Sequence, residues 1–395
     1  MVSKILTLNQ ISIKGLERLP RDKYEIASEF AHPDAILLRS HKLQAADIPD
    51  SVRCIARAGA GVNNVPVAEC TKRGIPVFNS PGANANAVKE LVAAALLLGS
   101  RGIKEGVNYV NTLGDIADEA ELNRTLEAQK KQFKGSELMG KTLGVVGLGA
   151  IGSLVAEMAL TFGMEVVGYD PALSVEAAWR LSSRVQKADA ISSLFARCDY
   201  ITLHLPVLDS TRGLVNAELL ANVRPGTCLV NFARQEIVDN EAIIEALDAG
   251  KLRKYIADFP APGLIGRDDV ILMPHIGAST DEAEDNCAIM AAEQLRDFLE
   301  NGNIRNSVNF PATQLEHVTG CRLAVTNENV PRVLTSILAI LAEANINVID
   351  MLNKSRDEIA YNLIDIESQP SEAALVSMEA LEGVISARLI GDCCS

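Results

Sequence analysis

The sequence predicts an α/β protein with two doubly wound parallel sheets and a smaller C-terminal βαββαβ domain. Short apolar runs alternate with helical stretches from the beginning of the chain, and a longer series of the same kind starts near residue 143. After residue 319 the order becomes strand, helix, strand, strand, helix, strand. Because alternating strands and helices are typical of parallel sheets covered by helices, we expect two sheet domains followed by a separate module.

The individual strands follow from apolar runs that end in turn residues. We predict strands over residues 4–7, 35–38, 52–57 and 76–79 in the first series. In the second series we predict them over residues 143–146, 165–169, 200–204, 228–232, 255–258 and 271–273. A long amphipathic helix over residues 281–300 and an Asn/Gly-rich linker over 301–309 come next. The predicted domains are residues 1–85 with 276–305, residues 86–275, and residues 318–395.

The bulk composition limits the partners of the chain. Hydrophobic residues make up 48% and charged residues 22%, which is typical of a folded globular protein. The net charge of -14 argues against nucleic acid or an anionic membrane as a partner. The longest apolar stretch, residues 91–98, is far shorter than the roughly 20 residues that span a bilayer. The eight cysteines show no metal-ligand spacing, so we expect reduced thiols, no metal site and a cytoplasmic location.

A glycine motif directly after a predicted strand indicates a dinucleotide site. Gly147, Gly149 and Gly152 form the GxGxxG of GLGAIG, between the strand over residues 143–146 and the following helix. The first glycine allows a tight turn, the second lets the backbone approach a pyrophosphate, and the third permits close helix packing. The N-terminal end of the helix then faces the phosphates with unpaired N–H groups. We therefore expect a Rossmann-like domain here.

The carboxylate that follows the next strand indicates which dinucleotide binds. Asp170 lies 18 residues beyond Gly152, where a carboxylate accepts hydrogen bonds from the adenosine ribose hydroxyls. An anion at that position repels the 2'-phosphate of NADP, and no arginine follows it immediately. The sequence therefore predicts NAD as the cofactor.

Three further segments lie at the ends of predicted strands: NFARQEIVD over residues 231–239, YIADF over 255–259 and MPHIGAST over 273–280. Ligands bind at these strand ends in open α/β sheets. Together with GLGAIG, and in this order, the segments resemble those of the D-isomer-specific 2-hydroxyacid dehydrogenases. The resemblance covers nearly the whole chain, and its tail is similar to the ACT regulatory domain of the members that act on 3-phosphoglycerate.

The resemblance implies roles for three residues. Arg234 would hold the substrate carboxylate and the C2 oxygen, a task that suits a planar guanidinium. His275 would accept the hydroxyl proton as hydride leaves, because imidazole changes its charge near neutral pH. Asp258 would lie near the nicotinamide. The resemblance also implies cofactor contacts along the motifs, namely Gly147, Gly149, Ala150, Ile151, Gly152, Asp170, His204, Pro206, Ala233, Asp258, His275 and Gly277.

Two departures from the family pattern affect the expected chemistry. Gln235 follows the arginine where most of the family has glycine. The family's histidine-orienting glutamate is replaced by Gly263, and no glutamate occurs between Asp258 and His275. Two alternatives follow: Asp268 or Asp269 bends back to serve as the partner, or the histidine works without a carboxylate.

The first domain contains two segments that match the family's substrate-binding loops, LLRSHK over residues 37–42 and RAGAGVNN over 57–64. A substrate carboxylate or phosphate would meet side chains and backbone N–H groups there, and successive N–H groups in glycine-rich turns form anion-binding nests. The candidate substrate-binding residues are Arg39, Ser40, Ala60, Gly61, Val62, Asn84 and Arg234. A further set is open between a phosphate contact and a solvated charged face: Lys89, Lys130, Lys131 and Lys134.

The tail resembles the serine-sensing ACT domains, and Asn327, Asn329 and Asn347 fall at their effector-binding positions. Two departures occur there. Asn327 replaces a histidine that is usual in serine-inhibited relatives, and Arg332 stands where glycine normally allows close approach. Either serine binds this domain, or the domain only joins subunits.

The most specific expectation that the resemblance implies is NAD-dependent oxidation of 3-phosphoglycerate by a homodimer or homotetramer, with L-serine as the effector if the tail binds one. Two rivals use the same motifs. A glyoxylate, hydroxypyruvate or lactate reductase on the same scaffold would need neither the ACT tail nor a phosphate site. A non-catalytic, NAD-sensing interaction protein would explain the missing glutamate.

Overall fold

The computed structural model describes residues 2–316 and 320–390. The predicted start of the third domain at residue 318, together with Cys393 and Cys394, lies outside the described residues. The chain divides into two compact units, Met1–Asn84 with Asp281–Ser395 and Ala85–Thr280. The first unit thus includes both the N-terminal sheet and the C-terminal module.

A five-stranded parallel sheet forms the N-terminal part of the first unit, in the order β2-β1-β3-β4-β5. The strands are β1 (Ser3–Leu8), β2 (Tyr24–Ala27), β3 (Ala35–Leu38), β4 (Cys54–Arg57) and β5 (Val77–Phe78). Two short helices lie between them, α1 (Ile13–Leu16) and α2 (Val67–Lys72). The four predicted strands are present, and β2 is additional. This edge strand buries Tyr24 alone among its four residues, so it lacks the apolar run that identifies a central strand.

The long helix α11 (Asp281–Asn301) packs against this sheet, as predicted. Its buried face consists mainly of small and apolar side chains, and it shares a core with the inward side chains of β1, β3 and β4. Gly15 of α1 lies so close to α11 that a Cβ there would be 2.6 Å from the Ala288 Cβ. The two helices therefore pack at backbone distance.

The C-terminal module has the predicted βαββαβ order. Its elements are β13 (Cys321–Glu328), α12 (Val333–Glu343), β14 (Val348–Arg356), β15 (Ile359–Ile366), α13 (Glu372–Glu379) and β16 (Val384–Ile390). The strands form an antiparallel sheet in the order β14-β15-β13-β16. Leu323, Val325 and Ile364 pack with Ile337 of α12 on one face. Tyr361 and Leu363, on the other face, join the core of the N-terminal part, including Phe298.

A buried ion pair fixes the module to the end of α11. The Arg322 guanidinium donates to both carboxylate oxygens of Asp365 at 2.6 and 2.8 Å, and both side chains are 2% exposed. Its remaining nitrogen, Nη1, donates to the carbonyls of Asn301 and Leu315. A single buried arginine therefore connects two strands of the module, the last residue of α11 and the segment that follows it.

The second unit contains a seven-stranded parallel sheet in the order β12-β11-β10-β9-β6-β7-β8. Its strands are β6 (Thr142–Val146), β7 (Glu165–Tyr169), β8 (Val185–Lys187), β9 (Tyr200–Leu203), β10 (Thr227–Asn231), β11 (Leu252–Ala257) and β12 (Val270–Leu272). The six predicted strands are confirmed. The additional strand, β8, is a three-residue edge strand with two exposed residues, and so gives little sequence signal.

Helices cover both faces of this sheet. They are α3 (Ala85–Ser100), α4 (Ile103–Asn111), α5 (Glu119–Gln129), α6 (Ala150–Thr161), α7 (Val175–Arg180), α8 (Ile191–Arg197), α9 (Ala217–Ala221) and α10 (Asn240–Asp248). Two separate cores lie against the sheet, one including Leu194 and Ile243 and the other including Val92 and Ala159. Such a two-sided arrangement is the doubly wound fold, and it puts the carboxyl ends of β6, β7, β9, β10, β11 and β12 along one edge.

Four findings concern membrane-spanning helices, metal ligands and the state of the cysteines. No helix within the described ranges is both long and apolar enough to cross a membrane. Across those same residues, no cluster of three His, Cys, Asp or Glu side chains could bind a metal ion. Cys54, Cys70, Cys198, Cys228 and Cys287 are buried free thiols. Cys321 is disulfide-bonded, which corrects the expectation that all eight cysteines are reduced.

The Arg322–Asp365 pair predicts a large loss of stability when one partner is removed. Asp365→Asn keeps the side-chain volume but leaves the guanidinium without its counterion in a dry interior, so we expect a loss of about 3–5 kcal/mol. The measurement is thermal or denaturant unfolding of the full chain. The matched control is Glu127→Gln, which removes the partner of Lys130 in an exposed pair and should cost less than about 1 kcal/mol. Equal effects of the two substitutions would contradict the role given to the buried pair.

Candidate active site

The turn between β6 and α6 lies very close to the backbone after β9 and to the first turn of α6. Gly147 has φ +92°, and a Cβ there would lie 2.5 Å from the His204 carbonyl oxygen. A Cβ on Gly152 would lie 1.9 Å from the Gly147 carbonyl oxygen. By contrast, a Cβ on Gly149 would meet no heavy atom within 4 Å. Two of the glycines are therefore required by the fold itself, whereas the space above Gly149 is open at the N-terminal end of α6, where Ala150 and Ile151 form the first turn.

Asp170 lies at the end of β7 and is oriented by backbone N–H groups. Its Oδ2 accepts from Leu148 N and its Oδ1 from Ala172 N, each at 2.9 Å. A cavity of about 590 Å³ adjoins it, lined in part by Leu148, Asp170, Pro171, Ala188 and Asp189. The open turn, the fixed carboxylate and the adjacent cavity fit the pyrophosphate, ribose and adenine of a dinucleotide.

His204 lies at the end of β9, beside the glycine turn. Its Nε2 is 2.9 Å from the hydroxyl of the buried Thr202, and burial lowers the pKa of His204 to about 3. The ring is therefore neutral at physiological pH. Its Nδ1 is buried and has no hydrogen-bond partner among the described residues. Pro206, two residues further on, is exposed, and its carbonyl accepts from Thr211 Oγ1.

The loop after β10 holds Arg234 in an extended conformation with φ -155°. The buried Asn231 side chain closes the loop, since its Nδ2 donates to Arg234 O at 2.9 Å and its Oδ1 accepts from Ala233 N at 3.1 Å. Tyr255 hydrogen-bonds to Asn231 in turn, and burial raises the pKa of Tyr255 to about 12. The Arg234 guanidinium donates through Nη1 to Ala233 O at 2.7 Å, which leaves its second terminal nitrogen for a planar anion.

His275 lies at the end of β12 and has φ +59°, a left-handed conformation that is rare for a non-glycine residue. Its exposed ring meets the Phe259 ring edge-on, with 5.0 Å between the centroids. The carboxylate of Asp258 is 2% exposed and accepts hydrogen bonds from Ile276 N and Gly277 N at 2.8 and 2.6 Å. Asp258 therefore contacts the backbone of the histidine loop, and whether it also contacts NAD stays a prediction.

The expected substitute for the missing glutamate is not provided by Asp269. Both of its carboxylate oxygens accept from the Arg267 guanidinium at 2.8 Å, and this ion pair lowers the pKa of Asp269. Arg267 also pairs with Asp248 of α10. Gly263 has φ +82°, and Asp268 is exposed. Within the described residues of this unit, the His275 ring makes no hydrogen bond to a carboxylate, which favours the second of the two alternatives.

The predicted substrate loops of the first unit lie next to each other. Arg57 Nε and Asn64 Nδ2 both donate to the Arg39 carbonyl, so the loop after β3 is tied to the loop after β4. The Arg39 guanidinium pairs with Glu284 of α11 at 2.6 Å, and Ser40 is exposed. The N–H groups of Ala60, Gly61 and Val62 donate to no described residue. These N–H groups and Arg39 are a suitable site for an anion.

Other candidates have local partners. The Asn84 Oδ1 is buried without a hydrogen-bond partner among the described residues, as expected for a group that receives a ligand donor. Lys89 donates to Asn86 on its own helix, and Lys130 pairs with Glu127 at 2.5 Å. The last two contacts favour the solvated-face interpretation for these lysines.

The candidate effector residues differ in accessibility. Asn327 is buried, and its amide bonds to Glu328 O and to the Asn362 amide, so its polar atoms are already engaged. Asn329 is exposed and donates to Asp357 O, and Asn347 is exposed. Arg332 has φ +78°, a left-handed conformation that glycine adopts without strain and that other residues rarely adopt.

Sequence reasoning missed several residues that hold the site in place. Asn231, Thr202, Phe259 and Glu284 each touch a candidate residue, as the hydrogen bonds and ring contact above show. A polar residue at the end of a buried strand was the available signal for Asn231. Phe259 and Glu284 gave none, because their partners are distant in sequence.

Comparison with known proteins agrees with this geometry. The family model for the D-isomer specific 2-hydroxyacid dehydrogenase NAD binding domain matches residues 106–277. A D-3-phosphoglycerate dehydrogenase of Haemophilus influenzae is 34% identical over 366 residues, which are 89% of this chain and 84% of the relative. One from Methanocaldococcus jannaschii is 32% identical across 97% of this chain and 73% of the relative.

A solved structure shows the same relationship. The NAD+-bound 3-phosphoglycerate dehydrogenase of Entamoeba histolytica is 28% identical and aligns with a TM-score of 0.61, over 78% of this chain and 99% of that chain. The expectations of an NAD-binding domain and of a dehydrogenase are thereby confirmed. The chain is an NAD-dependent dehydrogenase and belongs to the D-isomer-specific 2-hydroxyacid dehydrogenase family.

Proposed function

We propose that this dehydrogenase oxidises 3-phospho-D-glycerate to 3-phosphohydroxypyruvate, the first step of L-serine synthesis. The observation that carries the proposal is the grouping of Arg234 and His275 at the sheet edge that bears the nucleotide turn, in a chain whose relatives over most of its length are D-3-phosphoglycerate dehydrogenases. A cytoplasmic location and a homodimeric or homotetrameric state stay predictions.

The residues of the second unit divide the reaction between them. Arg234 binds the substrate carboxylate and C2 oxygen through paired N–H donors, which fixes the C2–H bond relative to the cofactor. His275 in its neutral form accepts the proton of the C2 hydroxyl. NAD, when bound, supplies the acceptor for the hydride that leaves C2. The glycine turn and Asp170 would hold the pyrophosphate and the ribose of NAD, and His204 would lie beside the turn.

Taken by itself, the first unit offers positive and N–H donor groups that suit a phosphate or a carboxylate. Arg39 and the free N–H groups of Ala60, Gly61 and Val62 lie on adjacent loops after β3 and β4. Glu284 already pairs with the Arg39 guanidinium, so an incoming phosphate or carboxylate has to share or displace that carboxylate. Ser40 and Asn84 add a hydroxyl and an amide to the proposed binding group.

The C-terminal module is proposed to be an ACT domain that binds L-serine. Its βαββαβ order and antiparallel sheet support this proposal. Asn347 and Asn329 are accessible, whereas Asn327 supports the loop from within. Subunit joining alone is the remaining alternative for the module.

The carboxylate contact of Arg234 predicts a strong effect of a conservative substitution. Arg234→Lys keeps the charge but loses the two-pronged geometry, so kcat/KM for 3-phosphoglycerate should fall by about 100-fold or more, equivalent to several kcal/mol of transition-state binding. The rate of NADH formation measures it. Arg224→Lys, at an exposed pair with Asp199, is the control and should keep wild-type kinetics. A fully active Arg234→Lys enzyme would remove Arg234 from the site, and a wild type inert towards 3-phosphoglycerate would refute the proposed function.

The cofactor preference depends on the fixed carboxylate of Asp170. We expect NAD to be used far better than NADP, because the 2'-phosphate would approach an oriented anion. Asp170→Asn should reduce the difference in kcat/KM between NAD and NADP. The substitution removes the repulsion of the 2'-phosphate of NADP and weakens the hydrogen bonds to the ribose of NAD. Steady-state kcat/KM with each dinucleotide measures this. Glu165→Gln, at the exposed opposite end of β7, should leave the ratio unchanged, and equal use of both cofactors by the wild type would contradict the account.

The effector proposal leads to a separate test. If Asn347 contacts L-serine, then L-serine should inhibit the wild type, and Asn347→Ala should relieve the inhibition without changing turnover in its absence. Inhibition curves at fixed NAD and substrate measure this, with Glu343→Ala, at the exposed end of α12, as the neighbouring control. An enzyme indifferent to L-serine at millimolar concentration would leave subunit joining as the role of the module.

A further inference from the structure

The histidine loop has an unusual backbone that something must hold in place. His275 has φ +59°, although a side chain with a Cβ pays roughly 1–2 kcal/mol for a left-handed conformation. Pro274 precedes it, and Ser279 N donates to Ile276 O to close the turn behind it. Because the ring is exposed, the direction of the imidazole depends on this backbone angle.

The buried carboxylate of Asp258 supplies the restraint. Its two oxygens accept hydrogen bonds from the two residues that directly follow the histidine, Ile276 N at 2.8 Å and Gly277 N at 2.6 Å. The residue is 2% exposed, and a Cβ on Gly277 would lie only 3.0 Å from Oδ2. Hydrogen bonds to an ionised acceptor are stronger than neutral ones, and they strengthen further in a low-dielectric interior.

Asp258 is itself fixed by the sheet. It follows β11 directly, and its N–H donates to Asn231 O at 3.2 Å, so its position is set by the β10–β11 ladder. The next residue, Phe259, meets the imidazole edge-on at 5.0 Å. Two consecutive residues therefore restrain the histidine, one through the backbone of its loop and the other through its ring.

We propose that Asp258 and Phe259 are positioning residues for His275, whose ring contacts no carboxylate within the described residues of this unit. Asp258 stabilises the left-handed loop conformation that presents the imidazole, and Phe259 limits the rotation of the ring. Neither residue transfers a proton. The inference rests on the proposed function only in taking His275 as the group that accepts the substrate proton.

The two roles open to Asp258 have different consequences. A side chain whose main function is to bind the nicotinamide would change the dissociation constant of NAD when substituted. Substitution of a side chain that acts through the histidine loop would lower kcat in the enzyme that has His275. It would have little effect on kcat in a His275→Ala enzyme. Substituting residues that act as one unit gives strongly non-additive effects.

The experiment is a double-mutant cycle between Asp258→Asn and His275→Ala, with turnover and the NAD dissociation constant measured for each variant. Asparagine keeps the side-chain shape of Asp258. It replaces one of the two acceptor oxygens by an NH2 group, which cannot accept the backbone N–H of Ile276 or Gly277. We expect kcat to fall by at least about 10-fold in the His275 background and by less than about twofold in the His275→Ala background. The dissociation constant of NAD should change by less than about twofold in both. Asp248→Asn, an exposed carboxylate on α10, is the matched control.

Equal losses of kcat in both backgrounds, or a weaker affinity for NAD with kcat unchanged, would overturn the inference. Phe259→Leu provides a second arm that leaves the buried carboxylate intact, and it decides alone if Asp258→Asn does not fold. Its expected loss of kcat is several-fold and should also disappear in the His275→Ala background, whereas an additive loss would overturn the proposal. If the wild-type enzyme prefers another 2-hydroxy acid, the double-mutant cycle is measured with that substrate. The proposed function would then be wrong, but the role of Asp258 and Phe259 would still be tested.

Discussion

The close approach of the backbone to itself at the β6–α6 turn is the constraint on which the rest of the second unit depends. The Gly152 position lies so near the Gly147 carbonyl that no side chain fits between them, and Gly147 in turn lies against the His204 carbonyl. This approach determines where α6 begins relative to β6. It also places Leu148, whose N–H donates to the Asp170 carboxylate, so the glycine turn and Asp170 are one connected structure.

Contacts between a polar side chain and the backbone of a loop recur along the edge of the sheet. Buried polar side chains at strand ends hydrogen-bond to the backbone of a loop, and that loop carries one of the candidate site residues. Asn231 holds the loop of Arg234, and Asp258 holds the loop of His275. Since the strands are fixed by a parallel ladder with apolar packing on both faces, these polar contacts transmit the rigidity of the core to the reacting groups.

Most of the fold and part of the site could be predicted from the sequence. Central strands such as β6 and β10 are mainly apolar runs, whereas the edge strands β2 and β8 are short and incompletely buried, so hydrophobic periodicity does not reveal them. The glycine turn and Asp170 have a spacing that follows from one βαβ unit. The partner of the Asp269 carboxylate could not be predicted, because its ion pair with Arg267 depends on the conformation of the loop between β11 and β12. The restraint of His275 by Asp258, 17 residues away in sequence, required the structure.

The most direct test compares Gly152, which the fold requires, with Gly149, which is expected to be needed only for cofactor binding. The measurement is the NAD dissociation constant, together with the unfolding midpoint, for Gly149→Ala and Gly152→Ala. We predict that Gly149→Ala keeps the wild-type midpoint but binds NAD at least about 10-fold more weakly, because its Cβ enters space that is open in the protein and close to the pyrophosphate. Gly152→Ala should lower the midpoint as well as the affinity. Wild-type affinity for NAD in Gly149→Ala, or wild-type stability in Gly152→Ala, would contradict the account.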